Sequence, residues 1–301
     1  MEHSKYVVAV SGGVDSMVLL DMLAHSQILN ASGSQIAKEG LIVAHFDHGI
    51  RTDSHLDEAL VRAAAGQYGL PYEVERASLR ANSSEADARE ARYKFLRKCC
   101  SKHSAQLITA HHQDDVLETM LLNLIRGTGW RGLVSLDSTN QIWRPLLNTP
   151  KSELVDYAKQ HGIQWREDST NTNEAYLRNY IRRTLLPAMQ ARKPDVRKEL
   201  AVIYKATKTL KTNIATELHN IINNLPSDSI PRYLFSIWPD AVGLEVIYTL
   251  LAKLDDNWHP TRLQLEKTLH FIQTGLNGKK LEVSKQLRVE LQTSTLQFKK
   301  A

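Results

Sequence analysis

A short apolar run, Tyr6-Val7-Val8-Ala9-Val10, breaks into Ser11-Gly12-Gly13-Val14-Asp15-Ser16, and a helical pattern follows from Asp15 to Ala24. No other stretch constrains the chain as strongly. Two adjacent glycines admit backbone angles and close approaches that side chains forbid, so successive N–H groups can turn toward one anion. The hydroxyls of Ser11 and Ser16 add donors, and the start of the helix adds its dipole. A carboxylate at position 15 repels phosphates unless a cation sits between them, so Asp15 is predicted to be a Mg²⁺ ligand bridging to a nucleotide. The loop therefore demands a strand–turn–helix unit that presents a phosphate site.

The rest of the first half keeps that rhythm. Strands are predicted at Tyr6–Val10, Leu41–Phe46, Tyr72–Glu75 and Gln106–Ala110, and helices at roughly 15–24, 53–68, 84–103 and 114–125, with Ser84-x-x-Asp87 as a capping box for the third. Ile142–Leu147 has the pattern of one more strand, ended by Pro145, and Lys151–His161 has helical spacing. Alternating strands and helices predict an α/β fold with a doubly wound, mostly parallel sheet. Trp165–Asn173 is polar and turn-rich, and a helical pattern resumes at Glu174. We place the first domain at 1–212, including a basic helical extension from about 174. A small, mostly helical C-terminal domain follows at 213–301, with helices at Leu244–Leu254 and Arg262–Thr274 and two short alternating runs, Lys280–Val283 and Leu287–Leu291.

Composition excludes several classes. With 42% hydrophobic and 24% charged residues over 301 positions, the chain is neither disordered nor disulfide-stapled. No stretch approaches the roughly 18 apolar residues of a membrane span, and the first residues run into a strand without a cleavable signal, so a cytoplasmic, membrane-free protein is expected. The two cysteines, Cys99 and Cys100, are adjacent in a helical stretch, which suits neither a disulfide nor a metal cage and excludes a Cys-x-x-Cys sulfur or iron–sulfur site. A net charge of +5 is mild, but its distribution is not. Between Tyr176 and Lys198 seven basic residues (Arg178, Arg182, Arg183, Arg192, Lys193, Arg197, Lys198) face one acid, Asp195, a local excess of +6. Such a stripe is a candidate surface for nucleic-acid phosphates.

The phosphate loop lacks the Lys-Ser/Thr ending that reaches the terminal phosphates in Walker loops. It resembles the PP-loop of the N-type ATP pyrophosphatases, which implies attack at the α-phosphate, release of pyrophosphate and adenylylation of an acceptor. Two other glycine-rich stretches are set aside. Gly127-Thr128-Gly129-Trp130-Arg131-Gly132 matches a dinucleotide fingerprint but follows a helix, and Gly275–Lys279 has the wrong spacing for a Walker loop and suits a helix C-cap.

Further motifs lie at the predicted strand ends, which face the ligand crevice of an open α/β sheet. Strand two ends in Asp47-His48-Gly49-Ile50-Arg51, and strand four in His111-His112-Gln113-Asp114-Asp115 followed by Glu118 and Thr119. Histidines and carboxylates beside a phosphate loop point to a metal-assisted centre. Glu85, Arg89 and Arg92 share one helical face. These motifs occur in order with Arg126-Gly127-x-Gly129, Arg144-Pro145-Leu146, Arg166-x-Asp168-Ser169-x-Asn171 and Arg178-Asn179-x-x-Arg182. Together, from Tyr6 to about Pro187, they resemble the tRNA(Ile)-lysidine synthases.

That resemblance implies the PP-loop, adenine nucleotide alpha hydrolase-like fold. It implies an ATP- and Mg²⁺-dependent ligase that adenylylates the wobble cytidine of a tRNA(Ile) with a CAU anticodon and then joins L-lysine to C2, giving lysidine, AMP and pyrophosphate. Mapped residue by residue, Ser11, Gly12, Gly13, Val14, Asp15 and Ser16, with Asp47 and His48, bind ATP, and Asp15 and Asp115 hold Mg²⁺. His112 and Arg89 join those two aspartates as catalytic groups. Glu85, Arg89, Arg92 and Asp114 form the lysine and cytidine pocket, while Arg126, Arg178, Arg182 and Arg183 bind tRNA. The 213–301 region is expected to assist tRNA docking, and a homodimer is left open. The competing classes are a PP-loop tRNA thiolase, which commonly relies on cysteines, an amidating PP-loop synthetase, which leaves the basic stripe unexplained, and a non-catalytic tRNA-binding protein.

Overall fold

The structure, a computed structural model, describes residues 5–30, 33–49, 53–77, 85–139, 141–167, 177–225, 229–255 and 260–300. Its first sheet is built from β1 (Tyr6–Ala9), β2 (Leu41–Asp47), β3 (Tyr72–Arg76), β4 (Gln106–Ile108) and β5 (Ile142–Trp143). The spatial order is β3-β2-β1-β4-β5 and every pairing is parallel, with Val7 beside Ile42 on one side and Leu107 on the other. Parallel strands need crossover helices on both faces, which is why β2 is buried along its whole length. The side-chain alternation of β1 shows the two faces directly. Val8 and Val10 pack with Leu19, Leu20 and Leu23 of α1 (Val14–Ala24), Val61 of α2 (Ser54–Gln67) and Leu154 of α5 (Lys151–Gln160), whereas Val7 packs with Phe95, Leu96 and Cys99 of α3 (Glu85–His103).

The chain leaves β1 toward β2 and β3 and then returns to its other side for β4 and β5. That reversal puts the topological switch point between the carboxyl ends of β1 and β4, where open α/β sheets bind ligands. Two loops meet the crevice there, the one entering α1 and the one entering α4 (Gln113–Ile125). A third apolar cluster joins Val116, Leu117 and Met120 of α4 to Ile181 and Leu186, so the segment α6 (Leu177–Tyr180), a π-helical stretch (Ile181–Leu185) and α7 (Leu186–Arg192) is held along α4. The helix α8 (Val196–Asn223) follows.

Two compact units divide inside α8, Met1–Tyr204 and Lys205–Ala301; Thr212 lies in the same helix. The second unit has its own core, in which Phe235, Val246, Ile247, Leu269 and Ile272 meet Leu287, Val289 and Leu296. These come from α9 (Leu234–Ile237), α10 (Asp240–Leu254), α11 (Arg262–Thr274) and an antiparallel sheet of order β6-β9-β8-β7 (Ile230–Pro231, Thr295–Lys300, Leu287–Leu291, Lys280–Glu282). The predicted alternating runs are β7 and β8, and β6 and β9 complete a sheet that the helical expectation did not include. Among the described residues no helix is long and apolar enough to cross a membrane.

Gly127 has φ +70 and follows α4, and the Thr128 N–H donates to Asn123 O at 3.0 Å, six residues closing a left-handed helix end. The glycine-rich stretch set aside above is therefore a helix stop.

Candidate active site

The phosphate loop is tied by its own hydroxyls. Ser16 Oγ donates to Gly13 O at 2.9 Å and accepts the Ser11 N–H at 3.1 Å, and Ser11 Oγ lies 3.2 Å from Ser16 Oγ. Gly12 has φ +95, a conformation that strains any side chain, and a Cβ there would press on Asp57 Cβ at 3.3 Å. Gly13 caps α1, Val14 is its buried first residue and Asp15 lies in its first turn. The predicted cradle and the predicted acid thus share one helix start.

Asp15 meets the second loop across the switch point. Its Oδ2 is 3.4 Å from His112 Nε2 and 3.4 Å from Lys151 Nζ, while Oδ1 is buried with no hydrogen-bond partner among the described residues. His112 is itself buried, and its Nε2 is also 3.5 Å from Asp115 Oδ2. That carboxylate accepts the His112 N–H at 3.1 Å, which fixes the start of α4. Burial opposes the charge on all three groups, yet their mutual attraction prevails: the Asp15 and Asp115 carboxyls are held below the usual carboxylate range, and the His112 imidazole is held above its usual value. Lys151 adds to the effect on Asp15.

One turn along α4, Glu118 is almost fully buried and receives two arginines. Arg182 donates from Nε at 2.6 Å and from Nη2 at 2.9 Å, and Arg178 donates from Nε at 3.0 Å. The same guanidiniums reach Asp115 Oδ1 at 3.2 and 3.6 Å. Burial disfavours the Arg182 charge, but Glu118 more than restores it. Arg178 and Arg182, expected on tRNA, therefore face the carboxylates of the crevice.

The neighbouring histidine points into different company. His111 Nδ1 is 2.8 Å from Thr109 Oγ1 and 3.4 Å from Arg144 Nε; because a guanidinium only donates, Nδ1 accepts and the ring proton is assigned to Nε2. Arg144 is buried and anchored on the carbonyl of Asp137. Burial outweighs the opposing pull of Asp115 and, with Arg144, Arg89 and Arg92 adding to it, pushes the His111 pKa down to about 4. Arg89 and Arg92 both lie over the Tyr93 ring, at 4.9 and 5.5 Å from its centroid. The crevice thus has a carboxylate side and a guanidinium side.

Other expected residues sit elsewhere or are already engaged. Asp47 is buried, and its carboxylate accepts the Gly49 N–H at 2.8 Å and the Ser54 hydroxyl at 3.1 Å, with Arg76 at 3.2 Å, so it shapes the loop after β2. His48 packs edge-on against Phe46. Asp114 accepts the Lys151 N–H at 3.1 Å and pairs with Arg197. Arg126 caps the far end of α4, about 20 Å from its start at 1.5 Å per residue, and Arg183 is exposed on the π-helical stretch. Glu85 opens α3, but its side chain, like Arg51, Ser84, Asp168 and Asn171, lies outside the described residues. The free thiols Cys99 and Cys100 are pushed up to about 11 by burial, far from a reactive thiolate. Lys151 was missed, since a lysine opening a helix has no distinctive sequence signal.

A glycine-paired phosphate loop and a carboxylate–histidine cluster at the switch point of a parallel sheet define an α/β nucleotide-binding domain. The sequence profile of the PP-loop domain (ATP_bind_3) matches residues 1–189, and the chain belongs to that family. More particularly, it is similar to the tRNA(Ile)-lysidine synthase of Nitrosomonas europaea, 35% identical over 207 residues, covering 65% of this chain and 43% of that protein. It is similar as well to the tRNA(Ile)-lysidine synthase of Methylococcus capsulatus, 31% identical over 296 residues, covering 96% of this chain and 62% of the relative. The chain thus spans less than two thirds of the length of these relatives. Among solved structures, the U34-tRNA thiolase NcsA from Methanococcus maripaludis shares the fold, with a TM-score of 0.55 and 16% identity over 68% of this chain and 73% of that one.

Proposed function

We propose that this chain ligates L-lysine to C2 of the wobble cytidine of tRNA(Ile) with a CAU anticodon, consuming ATP and releasing AMP and pyrophosphate. The observation that carries this reading is a joint one: the sequence is 35% identical to a lysidine synthase over 207 residues, and Asp15 of the PP-loop and Asp115 both approach His112 at one crevice. The chemical problem is a poor electrophile, since the C2 carbonyl of cytosine is urea-like and its oxygen is a poor leaving group. Attack of that oxygen on the α-phosphate forms the O–P bond and breaks the bond to pyrophosphate. The ε-amine of lysine then attacks C2, loses a proton, and expels the oxygen with AMP. Holding base, ATP and amine together supplies about 7–11 kcal/mol through orientation and entropy.

In this reading Ser11 to Ser16 bind the phosphates, and Asp15 and Asp115 would hold Mg²⁺. Asp15 Oδ1, buried and without a hydrogen-bond partner among the described residues, fits such an ion. Among the described residues no cluster of three or more His, Cys, Asp or Glu suits a metal, so these two carboxylates would leave the remaining positions to phosphates and water, as Mg²⁺ sites commonly do. An ion held there by Asp15 and Asp115 would supply positive charge to offset that of the departing pyrophosphate. His112 orients that chain from the carboxylate side. Glu85, Arg89 and Arg92 are assigned by the resemblance to the lysine and cytidine pocket, into which the base would enter out of its stack. Asp114, already engaged by Arg197 and Lys151, would support that pocket by fixing the first turn of α4, and Asp47 would support the nucleotide, with His48, by shaping the β2 loop. Arg126 and Arg183 contact tRNA, and residues 213–301 assist docking. The cytoplasm, which supplies tRNA, ATP and lysine, is the proposed setting; light scattering distinguishes a homodimer from a monomer.

Radiolabel placement tests the reaction class. [α-³²P]ATP is expected to yield labelled AMP and [γ-³²P]ATP labelled pyrophosphate, both only when tRNA is present. Labelled inorganic phosphate with ADP would refute adenylylation. The thiolase alternative is disfavoured by the two thiols, one buried and one half-buried, both pushed away from the thiolate form.

A further inference from the structure

Asp57, in the first turn of α2, is pressed against the phosphate loop. A Cβ built on Gly12 would lie 3.3 Å from Asp57 Cβ, 3.6 Å from its Cα and 3.7 Å from its carbonyl oxygen. The Asp57 side chain is only 8% exposed. An acid held there places negative charge beside a loop that has to hold a polyphosphate, and like charges in a protein setting still repel appreciably at such range.

Arg166 meets that acid and the loop at once. Its Nε donates to Asp57 Oδ1 at 2.8 Å, its Nη2 to Asp53 Oδ2 at 2.8 Å, and its backbone N–H to Gly12 O at 3.0 Å. One residue, 109 positions along the chain from Asp57, thus fixes the loop through the main chain and compensates the adjacent acid through the side chain. Asp53 is 44% exposed, so solvent screens its share of the pairing more strongly.

We propose that Arg166 is a positioning residue of the phosphate loop, and that its pairing with the buried Asp57 sets the affinity of Ser11–Ser16 for the nucleotide's phosphates. The inference rests on the reading of that loop as the ATP phosphate site. It gives Arg166 an electrostatic task separate from the packing that any large side chain supplies.

Calorimetric titration of the full chain with Mg²⁺ and α,β-methylene-ATP, which resists cleavage between its α and β phosphates, is the test. Arg166→Met is expected to weaken binding by about tenfold, the effect of one uncompensated nearby charge. Arg166→Lys, which keeps the charge, should stay within about threefold of wild type on the same electrostatic ground. The double variant Arg166→Met/Asp57→Asn should recover to about that level, because removing the acid removes the need for its partner. Asp57→Asn alone should bind at least as tightly as wild type, and it is read independently if Arg166→Met fails to fold. Wild-type affinity in Arg166→Met, a double variant as weak as Arg166→Met, or weakened binding in Asp57→Asn would each overturn the proposal. A wild-type chain that does not bind the analogue would refute the phosphate site itself, and the proposal with it.

Discussion

On the carboxylate side of the crevice, His112 lies between Asp15 and Asp115 and holds its proton more tightly than usual; on the guanidinium side, His111 meets Thr109 and Arg144 and, with burial outweighing the pull of Asp115, gives it up at about pH 4. One peptide bond separates them. Neither behaviour is a property of histidine or of the His-His-x-Asp-Asp motif; each follows from what the two loops bring to that ring. The carboxylate side gathers groups suited to a cation and phosphates. The guanidinium side keeps a neutral ring whose Nε2–H donates without adding charge, which suits a polar but uncharged base.

The largest way to break this contrast is Asp15→Ala. AMP formation is expected to fall by about a thousandfold or more, since the carboxylate proposed to hold the phosphates' cation is gone, while tRNA binding stays within about twofold. Loss of both together would show that Asp15 supports the fold of the crevice instead. Next comes Glu118→Gln, which leaves Arg178 and Arg182 with Asp115 as their only remaining carboxylate among the described residues. A cost of about 2–3 kcal/mol in urea denaturation is expected, below the full value for a buried pair because the arginines are about one-third exposed. An unchanged midpoint would mean that the carboxylate side is not held together by this cluster.

The histidines give a sharper and smaller signal, read as melting temperature against pH in chelator without nucleotide. The raised His112 contributes stability that is complete below pH 6.5 and is lost as pH rises through its folded value, so His112→Gln should flatten the curve above 6.5. The lowered His111 works the other way: its unfolded form takes up protons first, so stability falls as pH drops from 6.5 to about 4, and His111→Gln should remove that slope. Identical profiles for the two variants would erase the contrast. The smallest effect concerns the basic stripe. Five cations on phosphate would give a log–log salt slope of about −3.5 to −4.5 for tRNA binding, but Arg178, Arg182 and Arg197 face crevice acids. Four exposed cations, Arg183, Arg192, Lys193 and Lys198, give about −3, and a flat plot would remove the stripe from the interface.

How far this was legible in the sequence depends on the range of the interaction. Strands β1 to β4 were readable because buried parallel strands are short apolar runs punctuated by loop motifs, and Asp15, His112 and Asp115 meet because such runs end at one sheet edge. Strand β5 closes at Trp143 because Arg144 turns into the crevice and Pro145 follows. Strand β9, Thr-Leu-Gln-Phe-Lys-Lys, carries too little apolar alternation to stand out and is fixed by pairing with β8. Lys151 reaches Asp15 across 136 positions, a contact no local pattern encodes. Asp47 and Asp114 stood at the right strand and helix ends, but backbone N–H groups and nearby cations already engage them, and only coordinates reveal such engagement.

The most direct test of the proposed activity is incubation of the purified chain with ATP, Mg²⁺, isotopically labelled L-lysine and unmodified tRNA(Ile) carrying a CAU anticodon, followed by mass analysis of the nucleosides. The expected result is one labelled lysine on the wobble cytidine for each AMP and pyrophosphate released. AMP released in a tRNA-dependent way without lysine on the nucleoside would contradict the proposed nucleophile, and no tRNA-dependent AMP at all would contradict the assignment of the crevice.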